Sequence, residues 1–380
     1  MSATAASTRH LGYRPGLDGL RAIAITFVVL HHTAAFLVPQ WKTWFFTGGF
    51  LGVDIFFVLS GFLITSLLLE RRGPSEPRPL RSFYARRALR LFPAVGVLVV
   101  ANLVIAIIQS DGLGKALRSF LVVFTYTTNW AELRSVSFSP YLAHLWSLAI
   151  EEQFYFVWPI LLLGALWAGL SRRAIAWLVL VLAGAAALWR AELWWSGTGW
   201  IAIYIRTDAR ADALLIGAVL GLVRPDLLMS RVPRAVRGVL GCTALGLLVV
   251  AALTFHGDSK SLYLGGLTVV ALIAALLLTV ELTGAWPLHP VLSSRPLVMI
   301  GRLSYSLYLW HFLVFQVVAE HLVGSSSVLK VALGWSVTAL AATASFVLVE
   351  RPVLRVKDRL GRRRPKPVGT QAEPAHDSAA

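Results

Sequence analysis

Apolar runs of about 20 residues recur along the whole chain, each closed by a short polar or basic stretch, the pattern of helices sized to the hydrocarbon core of a bilayer. The sequence predicts ten spans, at about residues 18–38, 48–69, 88–109, 146–169, 174–195, 208–223, 235–255, 261–281, 302–323 and 328–349. A further apolar stretch, 117–130, is short, carries Arg118 and breaks into Thr125-Tyr126-Thr127-Thr128-Asn129, which fits an eleventh span or a re-entrant or interfacial piece. The basic loops decide between these. With ten spans, one membrane face receives Arg9 and Arg14; Arg71, Arg72, Arg78, Arg81, Arg86 and Arg87; Arg172 and Arg173; Arg224 to Arg237; Arg295 and Arg302; and the tail Arg351 to Lys366. An eleventh span would scatter them over both faces. The expectation is an all-α polytopic membrane protein with about ten transmembrane helices and both termini cytoplasmic, in which 110–145 is an external loop too long for a mere connection.

With 57% hydrophobic and 14% charged residues over 380 positions, an ordinary soluble domain is excluded. The formal charge of +16 would suggest nucleic acid in a soluble protein, but these cations sit in short loops and read as topology signals, so no nucleic-acid partner is expected. Cys242 is the single cysteine, which rules out an intrachain disulfide and a cysteine-based metal site, and no metal is expected. Residues 1–16 hold no apolar core followed by a small-residue cleavage site and read as a cytoplasmic segment before a retained first span. Residues 17–352 form the membrane domain, and 353–380 a basic, then small and polar tail suited to solvent or lipid headgroups.

Candidate chemistry lies in ionisable residues that the spans should not contain. The first span runs Leu17-Asp18-Gly19-Leu20-Arg21 and on to His31-His32. Arg21 and His32 are 11 positions apart, which returns nearly to one helix face with a rise of roughly 16 Å. Sorted by depth, an outer group holds His32, Asp54, His144, Glu151, Glu152, Asp208, Arg210 and Asp212, with His144, Glu151 and Tyr155 near one face. Carboxylates within reach of an imidazole fix its tautomer and stabilise the cation it forms, which is general-base hardware without a metal. The alternative for Glu151 and Glu152 is a place in the headgroup layer at a helix start. An inner group is basic: Arg21, Arg86, Arg87 and Arg90, with Arg172, Arg173 and Arg351 near in depth. Topology signalling accounts for most of these arginines, yet Arg90 lies within the apolar run, and Arg87 and Arg90 at i and i+3 point the same way, as a phosphate clamp requires. In the ninth span Ser304, Tyr308 and His311 form a polar stripe aimed at one neighbour, as packing glue or as cavity lining. Gly217 and Gly221 have the spacing of close helix packing.

At these residues the chain resembles the membrane-bound acyltransferase-3 family, acyl transferases of bacterial surface carbohydrates and some antibiotics. The likeness covers about residues 15–352 and rests on motifs in order: Leu17 to Arg21 followed by His32; Gly52-Val53-Asp54 through Ser60-Gly61-Phe62; Arg87-Ala88-Leu89-Arg90; Leu145-Trp146-Ser147-Leu148 through Glu151-Glu152-Gln153-Phe154-Tyr155; Arg210-Ala211-Asp212; Ser304 to His311; and Glu350-Arg351-Pro352. The resemblance implies that Arg21, His32, Arg87 and Arg90 are essential, that the donor is usually an acyl-CoA from the cytoplasm, with acetyl-CoA the first candidate here, and that the acceptor is a hydroxyl of a carbohydrate, lipid-linked sugar or glycoside. It implies a multi-pass protein of the bacterial cytoplasmic membrane in contact with lipid. Many members carry a C-terminal SGNH-type esterase domain, which is not expected here.

Residues and resemblance meet in one expectation. Arg21, Arg87 and Arg90 hold the donor phosphates. His32 is general base or forms an acyl-histidine, oriented by Asp54 or Glu151, and His144, Glu152, Tyr155, Arg210, Asp212 and His311 contact the acceptor. The rival class is a transporter or flippase for a glycolipid or sugar, which would show matched broken helices in two halves. No such pair is visible in the sequence.

Overall fold

The computed structural model describes residues 12–70, 79–110, 112–353 and 355. Arg9, Arg71, Arg72 and Arg78, most of the segment 1–16 and nearly all of the tail 353–380 lie outside the described residues. The helices are α1 (Pro15–His32), α2 (Gly52–Glu70), α3 (Pro79–Ile108), α4 (Leu113–Phe124), α5 (Thr128–Leu133), α6 (Trp146–Trp167), α7 (Arg172–Trp195), α8 (Trp200–Tyr204), α9 (Thr207–Val223), α10 (Asp226–Met229), α11 (Arg234–Thr254), α12 (Leu267–Leu282), α13 (His289–Leu292), α14 (Arg295–His321) and α15 (Ser327–Ser345). No strand occurs among the described residues. Nine helical segments among them are long and apolar enough to cross a membrane. The tenth expected span is α9, whose 17 residues rise about 26 Å, at the short end of what spans a bilayer. The chain is a multi-pass integral membrane protein, all helical.

Two boundaries differ from the reading of the sequence. Helix α3 begins at Pro79, nine residues before the expected start at 88, because arginine is a good helix former and its long stem can lie along apolar neighbours while the guanidinium stays polar. Arg81, Arg86, Arg87 and Arg90 are therefore all helical, and Arg87 is lifted about 12 Å from the helix start. The stretch 117–130 is not a span. Helix α4 has 12 residues, about 18 Å, with Leu113, Leu117, Phe120 and Leu121 exposed on one face. It doubles back along α3, with the Phe124 and Phe92 rings 6.1 Å apart. Gln153 of α6 then ties the following turn to the bundle, donating to the Tyr126 carbonyl at 2.7 Å and to Asn129 Oδ1 at 3.0 Å, and accepting from Thr207 at 2.5 Å.

Helices in lipid gain little from apolar burial against one another, so close van der Waals approach must hold them together. Helix α9 is the centre of this packing, against α2, α6, α7 and α12. A Cβ on Gly217 would run into the Val58 carbonyl of α2, and one on Gly61 into the Leu214 carbonyl of α9. The expected close-packing role of Gly217 is thus met by backbone against backbone. Gly217→Val forces those backbones apart and is expected to cost about 1–3 kcal/mol or more, read as a lower unfolding midpoint in detergent. An unchanged midpoint would mean that the α2–α9 contact is not what holds the bundle.

Candidate active site

Helices α1 and α14 run side by side, and the face of α1 that carries Arg21 and His32 looks at α14. Arg21 donates to Ser304 Oγ through Nε at 3.2 Å and Nη2 at 3.0 Å, and three turns further on His32 Nδ1 lies 3.0 Å from His311 Nε2. The shared face predicted from the 11-residue spacing is present. Directly after His32 the helix widens into a π turn, Thr33–Leu37, with Thr33 Oγ1 donating to the Val29 carbonyl at 2.8 Å. Such turns recur at functional sites because they displace side chains from the regular helical register.

Four imidazoles gather here. His31 and His32 ring centroids are 5.3 Å apart, His32 and His311 5.0 Å, and His144 and His311 5.6 Å. Phe36 stacks on His32 at 5.9 Å, and Phe312 meets it edge-on at 5.1 Å and stacks on His144 at 4.6 Å. His311 is fully buried, His144 is 4% exposed with neither ring nitrogen bonded to another described residue, and His32 is half-buried. No group of three or more His, Cys, Asp and Glu among the described residues could hold a metal ion.

Below the imidazoles, towards the end of the bundle marked by Pro15 and Arg295, lies a cavity of about 300 Å³. Arg21, Arg87, Arg90, Ser304, Ser60 and Glu151 line it, and Ser147 and Tyr308 line it next to the histidines. The Tyr308 hydroxyl shares a 2.9 Å hydrogen bond with Ser147 and donates to the His144 carbonyl, while its ring is 5.8 Å from His311. Tyr308 therefore stands between the cavity and the imidazoles.

The expected pairing of His32 with a carboxylate is corrected: among the described residues no carboxylate hydrogen-bonds it. Asp54 faces α9 instead of α1 and pairs with Arg210 at 2.9 Å, both essentially fully buried. Glu151 accepts from Ser60 at 3.0 Å inside the cavity. Glu152 clasps Arg87, whose guanidinium lies 3.3 Å over the Tyr155 ring. The reason is depth. Helix α6 starts at Trp146 beside the histidines, so five or six residues carry Glu151 and Glu152 about 8–9 Å down the bundle, while the early start of α3 raises Arg87 to meet them. Glu151, Glu152 and Tyr155 thus belong with the arginines and not with the outer group. His144 sits in a 3-10 turn, Pro140–Leu145, ahead of α6, so it does not share a helix face with Glu151 and Tyr155.

Arg21 and Arg90 form no ion pair among the described residues, whereas Arg87 is neutralised by Glu152. Arg172 and Arg173 are exposed at the start of α7, as topology signals would be. Asp208 is on the surface, paired with Arg206 at 2.6 Å, while Asp212 is buried against Arg190 at 2.9 Å and accepts from Thr268 at 2.6 Å. Sequence reasoning passed over Arg190, fully buried with a further bond to the Ala209 carbonyl at 2.8 Å. Its place inside the apolar run 174–195 was the available signal. It also passed over Ser60 and Ser147, which carry no charge to mark them, and Glu281, which accepts from Trp286 at 2.6 Å and meets His289 at 2.6 Å.

These features define a multi-pass membrane protein that encloses an arginine-lined cavity ending under a set of imidazoles. Residues 14–350 match the family model described as an acyltransferase domain, and the chain belongs to that family. A Staphylococcus aureus (strain MSSA476) protein provisionally named O-acetyltransferase SAS0844 is 33% identical over 370 residues, covering 93% of this chain and 59% of that protein. Peptidoglycan O-acetyltransferase OatA of Listeria monocytogenes is 34% identical over 355 residues, covering 90% of this chain and 56% of its own length. A Bacillus subtilis (strain 168) protein, YrhL, provisionally named a peptidoglycan O-acetyltransferase, is 34% identical over 362 residues, with 91% and 56% covered. The chain spans somewhat under three-fifths of the length of these relatives. No solved structure matches.

Proposed function

We propose that the chain is an integral membrane O-acyltransferase that moves an acyl group, acetyl first among candidates, from acyl-CoA to a hydroxyl of a carbohydrate or glycosylated molecule. The observation that carries the reading is a cavity lined by Arg21 and Arg90, neither in an ion pair among the described residues, with the His32 imidazole just past Tyr308. Arg90 and Arg21 offer charge-assisted hydrogen bonds to the donor phosphates, with Arg87 held between Glu152 and Tyr155 at their side. The pantetheine arm runs up the cavity and brings the thioester to Tyr308. The Arg21 to His32 rise of roughly 16 Å suits an arm of that kind. His32 then takes the proton of the acceptor hydroxyl as the oxygen attacks the thioester carbonyl. A C–O bond forms, the C–S bond breaks, and the proton passes from His32 to the departing thiolate. The basic face of the bundle is cytoplasmic in this reading, following the positive-inside rule.

The test is thiol release from acetyl-CoA by the protein in nanodiscs, with and without an O-acetylatable oligosaccharide. Acceptor-dependent release with acetyl found on the sugar is expected. Sugar movement across vesicles with no thiol released would replace the enzyme by a transporter. Arg90→Ala is expected to weaken acetyl-CoA binding about 10- to 10²-fold, the worth of one or two charged hydrogen bonds, and to leave S-acetyl-pantetheine, which lacks the phosphates, unaffected. Equal loss for both donors would remove Arg90 as a phosphate contact.

A further inference from the structure

We propose that His311 is a positioning residue that holds His32 in the tautomer with its proton on Nδ1 and its lone pair on Nε2. The inference rests on the reading of His32 as the base and adds the group that makes it one. Carbonyl oxygens only accept, so a ring nitrogen that faces two of them must carry a hydrogen. His311 Nδ1 lies 3.0 Å from the Leu307 carbonyl and 2.7 Å from the Tyr308 carbonyl, and it donates to both. A neutral imidazole has one donor and one acceptor nitrogen, so with Nδ1–H spent on the carbonyls the Nε2 of His311 is the acceptor. That acceptor faces His32 Nδ1 at 3.0 Å, so His32 Nδ1 donates. The lone pair of His32 is left on Nε2.

The chain from backbone carbonyls through His311 to His32 does for this imidazole what a carboxylate does in a hydrolase triad. It selects the tautomer, and when His32 Nε2 takes the acceptor proton, the Nδ1–H bond to His311 becomes charge-assisted and stronger. The sequence led to Asp54 or Glu151 for this task, and both are committed elsewhere, to Arg210 and Ser60. Phe36 and Phe312, 5.9 Å and 5.1 Å from the His32 ring centroid, fix the plane of the ring.

The experiment compares His311→Leu, His311→Gln and His32→Ala in nanodiscs, with kcat and the KM for acetyl-CoA measured separately. His311→Leu should lose kcat by about 10²-fold or more at unchanged KM, since the wrong tautomer puts a hydrogen where the base is needed. His311→Gln, which keeps an acceptor for His32 and a donor for the carbonyls, should recover much of that loss, and the double variant His32→Ala/His311→Leu should be no slower than His32→Ala alone. Full kcat in His311→Leu beside an inactive His32→Ala would overturn the positioning role and leave the base standing. A His32→Ala protein that still turns over would bring down the base itself. Where His311→Leu does not fold, ¹⁵N-histidine spectra of the unsubstituted protein decide, with the His32 signals assigned by their loss in His32→Gln: protonation at Nδ1 supports the inference, and protonation at Nε2 refutes it.

Discussion

His32→Ala should lower acyl transfer by about 10²- to 10⁴-fold, the usual contribution of a positioned general base, while acetyl-CoA binding stays near that of the unsubstituted protein. The separation of effects follows from the geometry. His32 lies past Ser147 and Tyr308, beyond the cavity that holds Arg21, Arg87 and Arg90, so removing the ring leaves the phosphate contacts untouched. Its ring contacts are to Phe36, Phe312 and two other imidazoles, none of which lines the cavity, so the packing lost with it lies outside the donor site. Isothermal titration of acetyl-CoA and a thiol-release assay on the same preparation read the two effects. Retained turnover would remove the base. A radiolabelled acetyl group trapped on the protein in the absence of acceptor, and absent from His32→Ala, would replace direct transfer by an acyl-histidine.

Arg210→Leu is expected to destabilise the fold by about 3–5 kcal/mol, because it strands the Asp54 carboxylate in the core. Both side chains are at most 1% exposed and 2.9 Å apart, with the Arg210 guanidinium 4.6 Å from the Tyr204 ring centroid. One guanidinium on α9 and one carboxylate on α2 thus lie at the contact already drawn tight by Gly61 and Gly217. The double variant Asp54→Leu/Arg210→Leu removes both charges and should recover most of the loss, since a buried pair exchanged for apolar groups is often neutral or stabilising. Unfolding midpoints in one detergent compare the three proteins. A single variant as stable as the parent, or a double variant no better than the single, would show that the pair does not carry the α2–α9 contact. Recovery of stability without recovery of transfer would mean that the Asp54–Arg210 pair also serves the reaction.

Much of this architecture is legible along the chain. Span positions follow from local hydropathy, because a bilayer core admits only helices of a set length. Arg21 and His32 share a face because 11 residues make nearly three turns, and in the fold both meet α14, at Ser304 and His311. The close-packing role of Gly217 was likewise written in its spacing. The partners of the charges were not. Whether His32 would meet Asp54, Glu151 or His311, and whether Glu152 would serve an acceptor or clasp Arg87, depends on how far α3 extends below the apolar run and where α6 starts relative to the histidines. Helical period and hydropathy are properties of one segment, and they determined which residues enter the membrane and on which face of their own helix they stand. Relative depth and rotation of two helices are properties of the packed bundle, and a shift of one turn, about 5.4 Å, changes every hydrogen-bond partner, so only the tertiary structure could put an imidazole where a carboxylate was expected.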